Sequence, residues 1–460
     1  MINVNSLSQL GYVYNVHSGF QFDLNTVLKK TPKHFTEGHW CDHNCIMEYG
    51  NYACPAAFSC NRNVEVKTIM SFENIVDSLK NAKSGLQNAN KKYLNHHLSS
   101  HCKKFNIPKE IEKELQRVLS KGDVELNMFG GNPELHPDFL KIIVAAKNMG
   151  WRVCTTTTGK KFMYDEKFLE QFLKNPPHLL AISADDYENI KELKEILHMD
   201  LKTIKNHWQK ANPLYGQRKK AYESIYTAKL FQTKTGFPKI LFNMVLHPGN
   251  LDYMKTMLEL FSKTFPDIIL NPYPAQSSFS YGADIWQDKH LDKLEKFIDT
   301  MIVKQVEEKD IQVKRYQPRM PYWLTLKSIF LTFKDKKNQK AYLSGKQTWQ
   351  CYRNSLSGKY LQASCSDKSS TERFKAGGHP GCFWNNKTVT DSKQQLWKMK
   401  GNKISNYLLN EKSELAMKAK TTCPGCIMPR LMFDGITVEA GLDSKLQEHY
   451  QKLRYKYFKF

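Results

Sequence analysis

From residue 123 onward, short apolar runs alternate with longer segments whose apolar positions recur every three or four residues. DVELNMFGG (Asp123 to Gly131) predicts a strand. In the following FLKIIVAAKNMG, Phe139, Ile142, Ile143 and Ala146 line one helical face, and Gly150 marks its end. WRVCTTTTG predicts the next strand, KFLEQFLKN a helix, and HLLAISADD a further strand. A longer helical stretch carrying Tyr222, Ile225, Tyr226 and Leu230 leads to the strand KILFNMVLHPGN. A helix with Met254, Met257, Leu258 and Phe261 then precedes the strand DIILNPYP, and Leu291 to Val306 predicts a closing helix. Such alternation implies βαβ units and a parallel sheet.

Before residue 123 the pattern is weaker. Residues 1 to about 33 read as an irregular lead-in, and HFTEGHW, from His34 to Trp40, as a short strand delivering Cys41. The chain turns helical from Ser71, with Ile75, Val76 and Leu79 at helical spacing, and a second helix spans Ile111 to Leu119. Between them, Asn88 to Cys102 is polar and reads as a solvated helical stretch, because no further ligands converge on His96, His97 and His101. Residues 61–120 are thus expected as a helical insert. Six strands are too few for an eight-stranded barrel, so the fold class is α/β with an open or partial barrel. Ligands of such folds sit at the C-terminal ends of the strands. Cys41 to Cys54, Gly130-Gly131, Thr155 to Gly159, Asp185 and Asn250 all fall at those expected ends, and together define one candidate site.

Composition narrows the class. The chain has 460 residues, 41% of them hydrophobic, which is enough for a large core and about two or three domains. No apolar run approaches the roughly 18 residues of a membrane span, and MINVNSLSQLGYVYN lacks the features of a signal peptide. The expectation is a cytoplasmic protein that makes no use of a membrane. The formal charge of +23 rests mostly on lysines spread along the chain, which favours a soluble surface. A polyanionic partner such as RNA is the second reading of that charge.

The cysteines change the picture more. Of eleven, four (Cys41, Cys45, Cys54, Cys60) cluster near the start, and five (Cys351, Cys365, Cys382, Cys423, Cys426) fall between 351 and 426. In a reducing compartment, two such clusters read as two metal sites. In CDHNCIMEYGNYAC, three thiolates within fourteen residues can grip three corners of an iron–sulfur cluster and leave one iron open.

The order of these stretches resembles the radical S-adenosylmethionine (radical SAM) superfamily. The resemblance rests on a cysteine loop, FGGNPELHPDF after the next strand, then TTTTG, ISADD and LHPGN, and it covers about Phe35 to Pro272. It implies a partial (β/α)6 barrel over residues 34–310 and a [4Fe–4S] cluster held by Cys41, Cys45 and Cys54, with Cys60 as a rival third ligand. It also implies a flavodoxin- or ferredoxin-like electron donor. S-adenosylmethionine, bound at the open iron, would be cleaved reductively to a 5′-deoxyadenosyl radical that abstracts hydrogen from a substrate. Gly130, Gly131, Asn132 and Pro133 would meet the methionine end, Ser183 and Asp185 the ribose, and Asn243 or Asn250 would orient the nucleoside. Two departures stand out. Eight residues rather than two separate Cys45 from Cys54, and Asn132 replaces the acidic residue of the family's GGEP-type stretch.

Past residue 310 the alternation stops. In WQCYRNSLSGKYLQASCS, Cys351 and Cys365 flank an expected hairpin, and GGHPGCF and TTCPGC follow. Residues 311–460 loosely resemble the cysteine-rich SPASM/twitch-type extensions that hold further iron–sulfur clusters. Here Cys351, Cys365, Cys423 and Cys426 are the expected ligands, with Cys382 in reserve. A zinc site built from four of these thiolates is the alternative. Extensions of this kind accompany peptide or protein modification, which makes a peptide the expected substrate and RNA the second choice. A zinc-stabilised nucleic-acid-binding protein without catalysis is the reading from a different class. FGGNPELHPDF argues against it, since a zinc binder has no need of that stretch.

Overall fold

The structure is a computed structural model. It describes residues 18–23, 71–96, 98–104, 109–129, 133–184, 190–210, 216–232, 238–274, 288–306, 323–324, 326–327, 360–364, 398–409 and 452. Among the described residues the architecture is α/β, built on one parallel sheet of seven strands in the order β6-β5-β4-β3-β2-β1-β7. The strands are β1 (Ser18–Asp23), β2 (Val124–Phe129), β3 (Arg152–Thr157), β4 (Leu179–Ser183), β5 (Lys239–Leu246), β6 (Ile269–Pro274) and β7 (Tyr360–Ser364). The five from β2 to β6 are those expected from the apolar runs.

Each of these strands lies beside its predecessor in sequence. Parallel neighbours joined by crossovers of one hand place every crossover helix on the same face. Burial agrees. Leu126, Met128, Val153, Leu180, Ile182, Phe242 and Leu270 are fully buried on the covered face. Against it packs α4 (Phe139–Asn148) through Phe139, Ile142, Ile143 and Ala146. This helix stops where Gly150 takes φ +76° and Trp151 N–H reaches the Ala146 carbonyl at 3.0 Å. Below the β3 and β4 crossovers, Phe162, Phe168, Phe172 and Phe231 pack with ring centroids 4.9–6.0 Å apart. Such pairs each add about 0.5–1.5 kcal/mol beyond their burial.

Three features differ from the sequence expectation. The first strand is SGFQFD, inside the lead-in expected to be irregular, where it pairs in parallel with β2. HFTEGHW lies outside the described residues. The helix from residue 72 is also no solvated insert. It is α1 (Phe72–His96), the crossover helix between β1 and β2, and its polar-looking second half buries Leu86, Ala89, Asn90 and Tyr93. Small residues let it approach its partners closely. It is followed by α2 (Leu98–Lys104) and α3 (Lys109–Ser120). Finally, Tyr360–Ser364, expected as hairpin, is a parallel strand on β1, with Gly19 opposite Tyr360 and Asp23 opposite Ser364.

Six helices complete the crossovers up to β6: α5 (Lys160–Tyr164), α6 (Glu166–Lys174), α7 (Ile190–His198), α8 (Leu201–Lys210), α9 (Gly216–Gln232) and α10 (Leu251–Thr264). After β6 comes α11 (Asp288–Val306), then, beyond β7, α12 (Gly401–Leu409). The last of these lies on α1. A Cβ on Gly85 would strike the Ile404 side chain, and one on Gly401 would strike Ser84. Lys92 also donates to Asn406 at 2.7 Å. Residues beyond 310 therefore add both an edge strand and a helix to the core.

Candidate active site at the C-terminal sheet edge

Because the sheet is parallel, all strands end at one edge, and register fixes which ends are neighbours. Asp23 pairs with Phe129 of β2 and with Ser364 of β7. Cys41, Cys45, Cys54 and Cys60 thus fall, in sequence, in the connection from the end of β1 to the start of α1. Gly130, Gly131 and Asn132 directly follow the neighbouring strand end. Cys365 directly follows Ser364. All these cysteines and the 130–132 stretch lie outside the described residues, as do Asp185, Cys351, Cys382, Cys423 and Cys426. Cys102 and Cys154 are described, and both are buried. Burial, aided by Glu112, pushes the Cys102 thiol up to about 11, which suits packing and not ligation. Among the described residues, no group of three or more His, Cys, Asp or Glu could hold a metal.

The face away from the helices is polar toward this edge. Side chains alternate along each strand, and Ser183, Asn243 and Asn271 pair across β4, β5 and β6 in one row. Asn127 on β2 and Thr156 on β3 share that face by the same alternation. All five are partly exposed. Asn271 Nδ2 donates to Asn243 Oδ1 at 2.8 Å, and Asn271 Oδ1 is buried without a hydrogen-bond partner among the described residues. The row offers neutral donors and acceptors, as ribose hydroxyls and a nucleobase edge require. Ser183 and Asn243, expected at the nucleoside, are therefore placed together. Asn271 was missed, because only the β5–β6 register reveals it.

Asn250, also expected at the nucleoside, is fully buried at the N-terminus of α10. Its Oδ1 accepts from His247 N–H at 2.9 Å, and its Nδ2 donates to the Val245 carbonyl at 2.7 Å. One lone pair and one N–H of the amide are thus used on the turn after β5.

Pro133 opens a single 3-10 turn, Pro133–Leu135, and is buried. The next residue went unnoticed in the sequence. Glu134 is 1% exposed, and its Oε1 accepts from Thr157 Oγ1 at 2.6 Å. Its backbone carbonyl accepts from Lys161 Nζ at 2.8 Å. The signal was present, since Glu134 is the one acidic residue between Phe129 and Asp138. His136 follows, 1% exposed, with Nδ1 accepting from Asp138 N–H at 3.1 Å. Burial, opposed by Asp138, brings its pKa down to about 4, so at neutral pH the ring is uncharged and carries its proton on Nε2. That nitrogen is buried without a hydrogen-bond partner among the described residues. The residues present fit an iron–sulfur cluster with S-adenosylmethionine. Soft thiolates follow β1 in sequence, and Asn271 Oδ1, beside Asn243, still has a bond to make among the described residues.

A singly wound parallel sheet with a polar row toward the C-terminal ends of its strands is a scaffold on which α/β proteins bind ligands at one edge. Residues 95–261, which span β2 to β5 and their crossovers, match the family model described as Radical SAM superfamily. The chain belongs to that superfamily and is a radical SAM enzyme, and a [4Fe–4S] cluster and S-adenosylmethionine are the family's typical cofactors. None of the curated proteins matches it. Among solved structures, it is similar to SuiB from Streptococcus suis at 12% identity and TM-score 0.45, covering 88% of this chain and 68% of that one. SuiB bound to its precursor peptide SuiA gives 11% and 0.44, covering 93% and 72%. Native anSMEcpe with bound AdoMet and Cp18Cys peptide gives 12% and 0.40, covering 95% and 96%. No helix among the described residues is long and apolar enough to cross a membrane.

Proposed function

We propose that this enzyme acts on a peptide or protein. The observation that carries the reading is the neutral character of the open sheet face near the site. Asn127 and Thr156, on the same face as the row given to the nucleoside, offer an amide and a hydroxyl, which match peptide N–H and C=O groups, and the described cations of that face, Arg152 and Lys239, stand at the opposite ends of β3 and β5. A polynucleotide calls for cations there. Lys161, the nearest described lysine in sequence to the β3 end apart from Lys160, is turned to the Glu134 carbonyl and the Phe168 ring.

In this reading β1 to β6 roll into a partial (β/α)6 barrel, and the polar face is its inner wall. Cys41, Cys45 and Cys54 hold the [4Fe–4S] cluster. Gly130, Gly131 and Asn132 receive the methionine end of S-adenosylmethionine, Ser183 and Asp185 its ribose, and Asn243 with Asn271 its base. Bound together, the two cofactors supply a 5′-deoxyadenosyl radical for hydrogen abstraction, with electrons from a flavodoxin- or ferredoxin-like donor. The protein's own part is to seat the nucleoside, keep water away and present the substrate. Residues 311–460, while lending β7 and α12 to the core, hold a second iron–sulfur cluster through Cys351, Cys365, Cys423 and Cys426.

Anaerobically reconstituted protein, given a strong reductant and S-adenosylmethionine, is expected to release 5′-deoxyadenosine. Replacing Cys41, Cys45 and Cys54 together by Ala should abolish release and leave about four irons per chain in the second cluster. Release that persists in the triple variant sinks the ligand assignment. Zinc without iron in that variant makes the C-terminal site a structural zinc module. RNA binding that weakens steeply with salt, with no deuterium exchange into peptides, replaces the peptide reading with the nucleic-acid one.

A further inference from the structure

Helices such as α3 (KEIEKELQRVLS) and α7 (IKELKEILH) mix acids with lysines, which gives a soluble surface without a strong field. Two stretches that meet in the fold do not. Ser78 to Lys104, most of α1 with α2, holds six lysines and no Asp or Glu. Lys398 to Leu409, which is α12 with its lead-in, holds three lysines and again no acid. The fold sets the two side by side. A Cβ on Gly85 or on Gly401 would strike the other helix, Ile404 is fully buried between them, and Lys92 donates to Asn406 at 2.7 Å. Lys91, Lys398, Lys400 and Lys403 are exposed beside this seam, together with Asn88 and Asn402. Like charges gathered without counter-charges repel one another and cost stability. Leu201 to Tyr222 is acid-free as well, but there Glu166 of α6 answers Lys205 at 3.1 Å.

The surface lies far from the edge given to the cofactors. As the crossover from β1 to β2, α1 runs against the strands. Its Lys83 reaches the Met149 carbonyl and its Gln87 the Gly122 carbonyl, both just before strand starts. Residues past Gln87 therefore lie beyond the N-terminal edge of the sheet. A six-residue strand, roughly 20 Å, separates that edge from the other. An electron carrier has to approach the cluster, so this surface does not suit one. A partner that only docks can use it.

We propose that α1 and α12 together form a docking surface for an acidic segment of the peptide or protein substrate, apart from the residue that reacts. This rests on the peptide reading. Docking at a second place makes delivery of the reacting residue an intramolecular event and raises its effective concentration at the site. Nucleic acid would also meet the lysines, but proteins that grip single strands add aromatic side chains on which bases stack. Among the described residues the exposed large hydrophobics are Tyr164 and Val303, neither on this surface, and Tyr93 of α1 is buried. The two stretches also hold no arginine, the side chain that forks onto phosphate.

The test uses the full chain and a fluorescein-labelled peptide of about ten glutamates, followed by fluorescence anisotropy at about 0.1 M salt. The parent is expected to bind the peptide, and Lys91→Glu combined with Lys403→Glu to weaken binding about tenfold. Lys202→Glu combined with Lys210→Glu, on α8, makes the same change of net charge and should weaken it less than about twofold. Should the Lys91 and Lys403 glutamate pair not fold, Lys91→Gln with Lys403→Gln takes its place, with about a threefold loss expected. Equal weakening by the α1–α12 pair and the α8 pair makes binding a matter of net charge and overturns the surface. A short RNA duplex runs alongside as the second probe. If the duplex binds through Lys91 and Lys403 and the peptide does not bind, the occupant is nucleic acid, and the peptide reading fails with the proposal. If neither probe binds, the docking surface is wrong and the peptide reading stands apart from it.

Discussion

Two connections in this protein use the same turn for different ends. After β2 comes Leu135-His136-Pro137, and after β5 comes Leu246-His247-Pro248. In each, the imidazole Nδ1 accepts from the N–H two residues on, at 3.1 and 3.2 Å, and the carbonyl accepts from the N–H three residues on, at 3.0 Å. Each turn opens a helix packed on the covered face. At β5 the strand runs straight into the turn, and Asn250 closes it from within. At β2 six residues separate the strand end from His136, and they carry the glycine pair and Glu134. The ties of that inserted stretch run outward, to Thr157 and Lys161. A closed turn is a structural device, whereas the turn set apart from its strand follows the stretch proposed to meet the cofactor.

The largest effect should come from breaking the closed turn. Asn250→Ala removes the bonds that the His247 N–H and the Val245 carbonyl make to the amide, at about 1–3 kcal/mol each. Denaturant unfolding should show a loss of about 3 kcal/mol, with the S-adenosylmethionine Kd unchanged in the folded fraction. Weakened cofactor binding at unaltered stability would place Asn250 at the nucleoside.

Acid comes next, and it acts on the opened turn. His136 has a folded pKa of about 4, below the ordinary value of 6.5, so the unfolded chain binds more protons between those values. Stability contributed by the neutral ring is complete above pH 6.5 and is lost as the pH falls toward 4. The loss reaches about 2 kcal/mol by pH 5. His136→Asn keeps an acceptor for Asp138 N–H but cannot titrate, and its unfolding midpoint should change less between pH 7 and 5 than the parent's.

The smallest effect distinguishes these turns from an ordinary helix start. Asp165 caps α6 through its side chain, accepting from Phe168 N–H at 2.9 Å, and Asp165→Ala should cost about 1 kcal/mol. Asp138 occupies the same position of α4 without a side-chain cap bond, since the histidine turn organises the start. Its partner is Lys141, on the exposed surface. Asp138→Ala should therefore cost only a few tenths of a kcal/mol. An equal loss in both variants would show that the histidine turn does not replace a cap.

Strands β2 to β6 were legible because each is a run of apolar residues bounded by turn formers. SGFQFD was not. Its apolar content is two phenylalanines in a polar neighbourhood, and only pairing with β2 makes it a strand. YLQAS was read locally, from the nearby glycine and cysteines, whereas its partner lies more than three hundred residues earlier. The site divides along the same line. Ser183 and Asn243 were named through the family resemblance. Glu134 was missed, and the bonds of Asn250 within its turn were not foreseen, because a sequence does not say where a carboxylate or an amide points. At Asn250 the amide points into its own turn, and at Glu134 the carboxylate points across to the next strand.

The pairing of β1 with β7 also sets a clock. A strand made at residues 18–23 has its outer edge covered only after residues 360–364 are made, roughly 340 residues later. At about 5–20 residues per second on the ribosome, that edge stands open for tens of seconds. Meanwhile β2 can already cover the other side. The nascent chain is thus a half-finished template for any passing strand. It is during synthesis, more than after it, that this enzyme most needs a chaperone's company.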